Sequence, residues 1–300
     1  MNIQETINSR MGIGIVLTLS KVIPPKAGLK LGNYLARKIS ARKGARMVRS
    51  VRANQWIVSG KKLDAEELDK ITLKTFQHTA HCLYDLYHNL DNPGGILQRV
   101  ALSPQLKKLL AERANGKEGT VLVTPHLSNF DLAGRAMALH GYRIQVLSYP
   151  QPAGGYQWQN KLRMVYNIEI TPMSTSTLRQ AKKRLNDYGV VLTGVDRPLE
   201  RSNYHPKFFD CPSMLPVTYI RLALQTKSPV VVVACVSNED NTYTIDCSDL
   251  IYLRAYQDPV VELEKNAEKV LKETEKFIIK NPHQWSMFYP VWPQVMEQIP

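Results

Sequence analysis

Val230-Val231-Val232-Val233-Ala234-Cys235-Val236 is an unbroken apolar run, and it limits the fold more than any other stretch of the chain. A strand with no polar alternation has to be covered on both faces, as in a parallel sheet with helices on either side. Shorter strand patterns at 120–123, 143–149, 167–172, 190–193 and 243–246 alternate with helical periodicity at 131–140, 174–188, 217–224 and 260–280. This predicts an α/β fold: a central, mostly parallel sheet flanked by helices, preceded by a basic helical N-terminal arm. Residues 1–60 are expected to form the arm and 61–300 the α/β domain. Within the largely helical first 90 residues, Asp64 and Glu67 have the spacing of a capping box, and Asn92-Pro93-Gly94-Gly95 ends the helix they start.

The charge of the arm narrows its partner. Residues 1–60 hold eleven Lys/Arg against one acid, Glu5, a surplus of +10 out of the chain's +13. Such a concentration calls for an anionic partner, either nucleic acid or a phospholipid surface. Nucleic acid would bring stacking aromatics into the basic run, and only Tyr34 and Trp56 lie nearby. Leu31, Leu35 and Ile39 recur at helical spacing beside Lys38, Arg42, Arg46 and Arg49, which suits a helix lying among lipid headgroups. The apolar stretch 11–23 stops at Lys21 and Pro24-Pro25, short of the roughly 20 residues a span needs. An anionic membrane surface is therefore the expected partner, with no nucleic acid. The four cysteines have no CxxC or zinc-like spacing, so a reduced, cytoplasmic setting is expected.

The chemistry is concentrated in His126-Leu127-Ser128-Asn129-Phe130-Asp131. Pro125 blocks the preceding strand, and Ser128 or Asn129 can cap the following helix. His126 then stands at the carboxyl end of a strand, where open α/β sheets place their ligand crevices. If the chain folds back through the turn, Asp131 reaches the imidazole, fixes its tautomer and leaves the other nitrogen to take a proton from a hydroxyl. The six residues alone are equally compatible with a structural His and an Asp placed by the helix dipole. His78 and His81 could share a metal at i, i+3, but no HExxH carboxylate accompanies them, and no metal site is expected. No G-x-S-x-G elbow supports a hydrolase. Tyr156, Trp158, Phe208, Phe209, Trp285, Phe288, Tyr289 and Trp292 suit either an acyl pocket or core packing.

Further blocks follow in order: Leu147-Ser148-Tyr149-Pro150 with Asn160-Lys161-Leu162-Arg163, then 189–198 ending in Asp196-Arg197-Pro198 with Lys207-Phe208-Phe209, and last Pro282-His283-Gln284-Trp285. Together with the HX4D block they resemble the lysophospholipid acyltransferase superfamily, in its bacterial lipid A biosynthesis (lauroyl/myristoyl) branch. The resemblance implies that His126 is the general base, oriented by Asp131, for O-acyl transfer from acyl-CoA or acyl carrier protein to a lipid or glycolipid hydroxyl. It implies that Arg163 binds a phosphate or acidic headgroup, while Arg197 and Arg201, which follow the third block, suit a phosphate contact and surface pairing equally. Asp196 would hold acceptor hydroxyls or position Arg163, and Asn129 would anchor the turn. No cofactor is implied beyond the donor substrate. The expected location is the cytoplasmic face of the inner or plasma membrane, peripheral or monotopic. The acceptor stays open, and the alternative is an inactive lipid-binding or membrane-adaptor protein on the same fold.

Overall fold

The computed structural model describes residues 10–114, 116–150, 154–164 and 167–300, without the side chains of residues 10–13, 114, 154–156, 158 and 159. Tyr156 and Trp158 thus lie outside the described side chains. The chain opens with α1 (Arg10–Val22), α2 (Pro25–Ser40), α3 (Arg46–Val58), α4 (Ala65–His88) and α5 (Pro93–Arg99). It continues with β1 (Val100–Leu102), α6 (Pro104–Ala114), β2 (Thr120–Thr124), α7 (Phe130–Leu139), β3 (Ile144–Ser148) and α8 (Gly154–Arg163). Next come β4 (Ile168–Pro172), α9 (Thr175–Asn186), β5 (Val190–Gly194), the short β6 (Lys207–Phe208) and β7 (Cys211–Pro212), and α10 (Thr218–Thr226). β8 (Val230–Ser237), β9 (Tyr243–Cys247) and α11 (Pro259–Lys280) complete the regular elements.

Seven strands form one sheet in the order β1-β9-β8-β2-β5-β3-β4. Every neighbouring pair is parallel except β8 with β9. The expected mostly parallel α/β architecture is thus the one observed. The two-residue period of β8 explains why its apolar run is unbroken. Val230, Val232 and Ala234 join the core on one face with α9, α10 and α11, while Val231, Val233 and Cys235 join that on the other face with α4 and α7. Burial of each such side chain is worth roughly 1.5–3 kcal/mol. Edge strand β1 was not apparent in the sequence, because three residues carry no readable period. The β6–β7 hairpin was equally hidden. Its turn uses Phe209 and Asp210 at φ 50° and 57°, a left-handed conformation without the Gly or Asn that would advertise it.

Helix starts follow local chemistry. Asp64 and Glu67 form the capping box expected of them, with Glu67 N–H donating to Asp64 at 2.8 Å and Asp64 N–H to Glu67 at 3.0 Å. Ser174 caps α9, and Asp258 caps α11.

The basic segment is less uniform than its composition implies. On α1 and α2, Ile15, Leu19, Val22, Leu31 and Leu35 are exposed, as are Lys26, Lys30, Arg37 and Lys38. α2 lies close to α4: a Cβ on Gly28 would stand 2.2 Å from the Tyr84 ring. α3 instead belongs to the core, where Met47, Val48, Val51 and Ile57 are buried and Arg52 pairs with Asp69. Arg49 pairs with Glu297 at 2.5 Å. The apolar face of α3 is covered, so beyond the exposed Arg46 the basic segment turns inward, with Arg49 partly covered and Arg52 buried. No helix among the described residues is long and apolar enough to cross a membrane.

Candidate active site

β2 and β5 are parallel neighbours, with Thr124 paired to Gly194. Two residues beyond each of these partners stand His126 and Asp196. Equal offsets from a parallel register deliver the two side chains together at the carboxyl end of the sheet. His126 Nδ1 lies 2.6 Å from Asp196 Oδ1, and the His126 backbone N–H donates to Asp196 Oδ2 at 2.8 Å. Trp285 Nε1–H also donates to Oδ2, at 2.7 Å. Backbone and indole N–H groups can only donate, so Asp196 acts as the acceptor and Nδ1 carries the proton towards it. Nε2 is then the nitrogen with a lone pair. Asp196 is fully buried, whereas the His126 side chain keeps 27% of its surface exposed. A buried carboxylate in this position fixes the tautomer of an imidazole and favours its protonated form, and the His126 ring stays partly open to its surroundings.

This corrects the expected partner of the imidazole. α7 begins at Phe130, so Asp131 lies in its first turn and turns towards the end of α8. There Arg163 grips it through two bonds, Nε to Oδ1 at 2.6 Å and Nη2 to Oδ2 at 2.9 Å. Bidentate pairs of this kind fix geometry as well as charge. Phe130 links the two pairs: its ring meets His126 edge-on at 5.0 Å between centroids, and the Arg163 guanidinium lies 5.8 Å from its centre. Asp131 and Arg163 thus brace the wall behind the imidazole. Asp196, expected to hold acceptor hydroxyls or position Arg163, holds His126 instead.

The turn carrying His126 is itself held from several sides. Ser128 adopts φ 49°, a left-handed conformation costing a non-glycine residue roughly 1–2 kcal/mol. Its N–H donates to Gln284 O at 2.8 Å, and Ser286 N–H donates to His126 O at 2.9 Å, with Leu127 and Trp285 forming an isolated antiparallel bridge. Residues 284–286 therefore clip the turn through the backbone. Asn129 caps α7 by accepting from Leu132 N–H at 3.3 Å, and donates to Cys82 O at 3.0 Å. It is buried, so it anchors the turn as expected but sits away from a substrate surface.

Behind the turn, His78 Nε2 lies 3.1 Å from Ser128 Oγ and 3.3 Å from Cys82 Sγ, and its ring meets His283 edge-on. Burial, reinforced by His283 and His81, lowers the His78 pKa to about 4, leaving it neutral. Burial also pushes the Cys82 thiol far above its usual range. His81 turns instead to Asn33 Oδ1, at 3.0 Å, so the two histidines serve separate contacts.

Arg197 lies 4.5 Å from the ring centres of both Tyr149 and Tyr289, and Nη2 donates to Tyr289 Oη at 3.2 Å. Arg201 is exposed on the same loop. Phe208, Trp285 and Trp292 are buried against one another. All three pack in the core, and Trp285 also donates to Asp196. The importance of Trp285 to Asp196, and of Tyr149 to Arg197, was missed in the sequence. The equal offsets of His126 and Asp196 from the ends of apolar strands were the readable clue to the pair.

The family of bacterial lipid A biosynthesis acyltransferases matches residues 5–294. Over 121 residues the chain is also 29% identical to phosphatidylinositol mannoside acyltransferase from two strains of Mycobacterium tuberculosis. That stretch covers 39% of this chain and 38% of each relative, well under half the length of either. With a match that runs through the HX4D turn, Asp196 and the Trp285 clip alike, the chain belongs to the bacterial lipid A biosynthesis acyltransferase family.

Proposed function

We propose that this protein transfers a fatty acyl group from the thioester of acyl-CoA or acyl carrier protein to a hydroxyl of a lipid or glycolipid, at the cytoplasmic face of a membrane. The observation that carries the reading is the partly exposed imidazole of His126, held through Nδ1 by the buried carboxylate of Asp196. In this reading Nε2 takes the proton of the acceptor hydroxyl as its oxygen attacks the thioester carbonyl. A C–O bond forms, and the tetrahedral intermediate collapses with cleavage of the C–S bond. The departing thiolate recovers the proton from the imidazolium. Asp196 keeps its charge throughout and offsets the positive charge that develops on His126. The acyl group passes directly between substrates, so the reaction needs no nucleophile on the protein. Asp131 and Arg163 contribute by bracing Phe130 against the ring.

Membrane attachment is supported by the exposed apolar and basic residues of α1 and α2. α1 also packs against α8, the helix that ends in Arg163, so this surface lies on the side of the molecule that carries the site. A lipid acceptor could then reach His126 with its chains still in the bilayer.

The test is to incubate the protein with radiolabelled acyl-CoA, or the same acyl group on carrier protein, together with a total lipid extract. Label should enter lipid, and His126→Ala should reduce the rate by at least about 10²–10⁴-fold, the usual contribution of a general base. Undiminished transfer by that variant would remove His126 from the reaction.

A further inference from the structure

Gly194 ends β5, where it pairs with Thr124 two residues before Asp196. The two-residue period of a strand sets it on the face covered by α7, where Val190 and Leu192 pack with Leu132 and Ala136. Thr193, Val195 and Asp196 around it are buried, whereas Gly194 is partly exposed. Glycine in a strand weakens it and often marks a close approach of backbone or ligand. Here the backbone does not require it, because its φ lies outside the left-handed region. Packing does not require it either. A Cβ on Gly119 would stand 2.3 Å from Leu185 O, but one on Gly194 would meet only His126 Cε1 among the described residues, at 3.4 Å. The missing side chain therefore leaves a space against the imidazole. Cε1 is the ring atom between the two nitrogens, and Asp196 takes the Nδ1 side, so this space adjoins Nε2.

From this geometry, and resting on the acyl-transfer reading above, we infer that Gly194 is a specificity-determining residue: the space it leaves receives the carbon that bears the acceptor hydroxyl. For Nε2 to take the proton, the hydroxyl oxygen has to stand about 2.6–3.2 Å from it. The carbon of the acceptor is one bond from that oxygen and lies over a flank of the ring. The thioester carbon starts about 3–3.5 Å from the same oxygen, so the acceptor brings the substrate carbon nearest the imidazole. Water brings no carbon. It attacks the same thioester through the same base, its proton passing by way of Nε2 to the departing thiolate. A C–O bond forms, the C–S bond breaks, and fatty acid and thiol are released. Filling the space at Gly194 therefore separates the two reactions: transfer to an alcohol falls while hydrolysis persists.

The full chain is incubated with radiolabelled palmitoyl-CoA, or palmitoyl carrier protein, and a total lipid extract. Label is read in acylated lipid and in free fatty acid from the same reaction. Gly194→Val should lower transfer by about ten- to two-hundred-fold, the scale of a carbon that does not fit a shaped pocket, and hydrolysis by less than about three-fold. Gly194→Ala sets a single carbon at van der Waals distance from Cε1 and should fall between wild type and valine. It also guards against misfolding: alanine suits a strand backbone better than glycine, so urea denaturation should show no loss of stability. Equal losses of transfer and hydrolysis in these variants would overturn the inference, because the space would then serve the acyl carbon common to both reactions. An unchanged ratio of lipid to fatty acid with undiminished rates in Gly194→Val would overturn it as well. A wild type that makes no acylated lipid would remove the acyl-transfer reading itself, and this inference with it.

Discussion

Asp196 is fully buried and accepts from the His126 ring, the His126 backbone and the Trp285 indole. Asp196→Asn leaves the shape intact but presents an amide where a carboxylate stabilised the imidazolium and fixed its tautomer. Transfer should fall by about 10³–10⁴-fold with the fold preserved. Asp131→Asn disturbs only the brace on Arg163, and should cost about ten-fold in rate and roughly 1–2 kcal/mol in stability. Comparing kcat for the two variants decides the assignment: equal losses would contradict the role given to Asp196. Trp285→Phe removes one donor from a buried carboxylate and should cost roughly 1.5–3 kcal/mol, read by chemical denaturation. HX4D singled out His126 in the sequence, but pointed to Asp131 as the partner of its ring. Asp131 is near in sequence, whereas Asp196 is brought near by the parallel pairing of β2 with β5. A one-strand reading favours the first; the equal offsets from two strand ends indicate the second once those strands are known to be neighbours.

α4 makes a prediction of its own. It carries His78 under the His126 turn, facing Ser128, Cys82 and the ring of His283, with His81 one turn away. His78 has a pKa of about 4 in the folded chain against 6.5 as its ordinary value. Between those values the unfolded chain binds more protons, so stability falls as pH is lowered from 6.5 to about 4. Burial lowers the pKa of His81 and His283 as well, in the same sense. The loss attributable to His78 is at most roughly 3 kcal/mol. Urea denaturation at a series of pH values should show it, and His78→Gln should flatten the slope in that window. An unchanged slope would mean that His78 is not held neutral. At this scale the sequence was most readable where structure is local. Asp64 with Glu67, Ser174 and Asp258 announce helix starts because a cap is made within a few residues. β1 and the clip at residues 284–286 draw their stability from distant partners, and a short window contains neither partner.

The molecule as a whole presents α1 and α2 as its exposed apolar and basic side. Binding to vesicles containing phosphatidylglycerol should exceed binding to neutral vesicles and weaken with salt, since each basic residue near the surface contributes about 1 kcal/mol. Lys26→Gln with Lys30→Gln should lower the partition coefficient by about ten- to thirty-fold in co-sedimentation. Insensitivity to lipid charge would refute the electrostatic part of the attachment. The composition of residues 1–60 pointed to this surface but could not divide it from α3, whose apolar face is buried together with Arg52. α3 also ties the end of the chain to its beginning: Asn54 donates to Met287 O and Tyr289 O, and Gln55 to Pro282 O. The segment so held is the one that clips Ser128 and His126. That connection has a consequence for biosynthesis. A nascent chain can complete all seven strands on the ribosome and still lack a working centre, because the strap that shapes the turn is translated after α11. The His126 turn would be fastened only after α11 has been made, and a chain stopped just past α11 would carry its histidine on an unfastened loop.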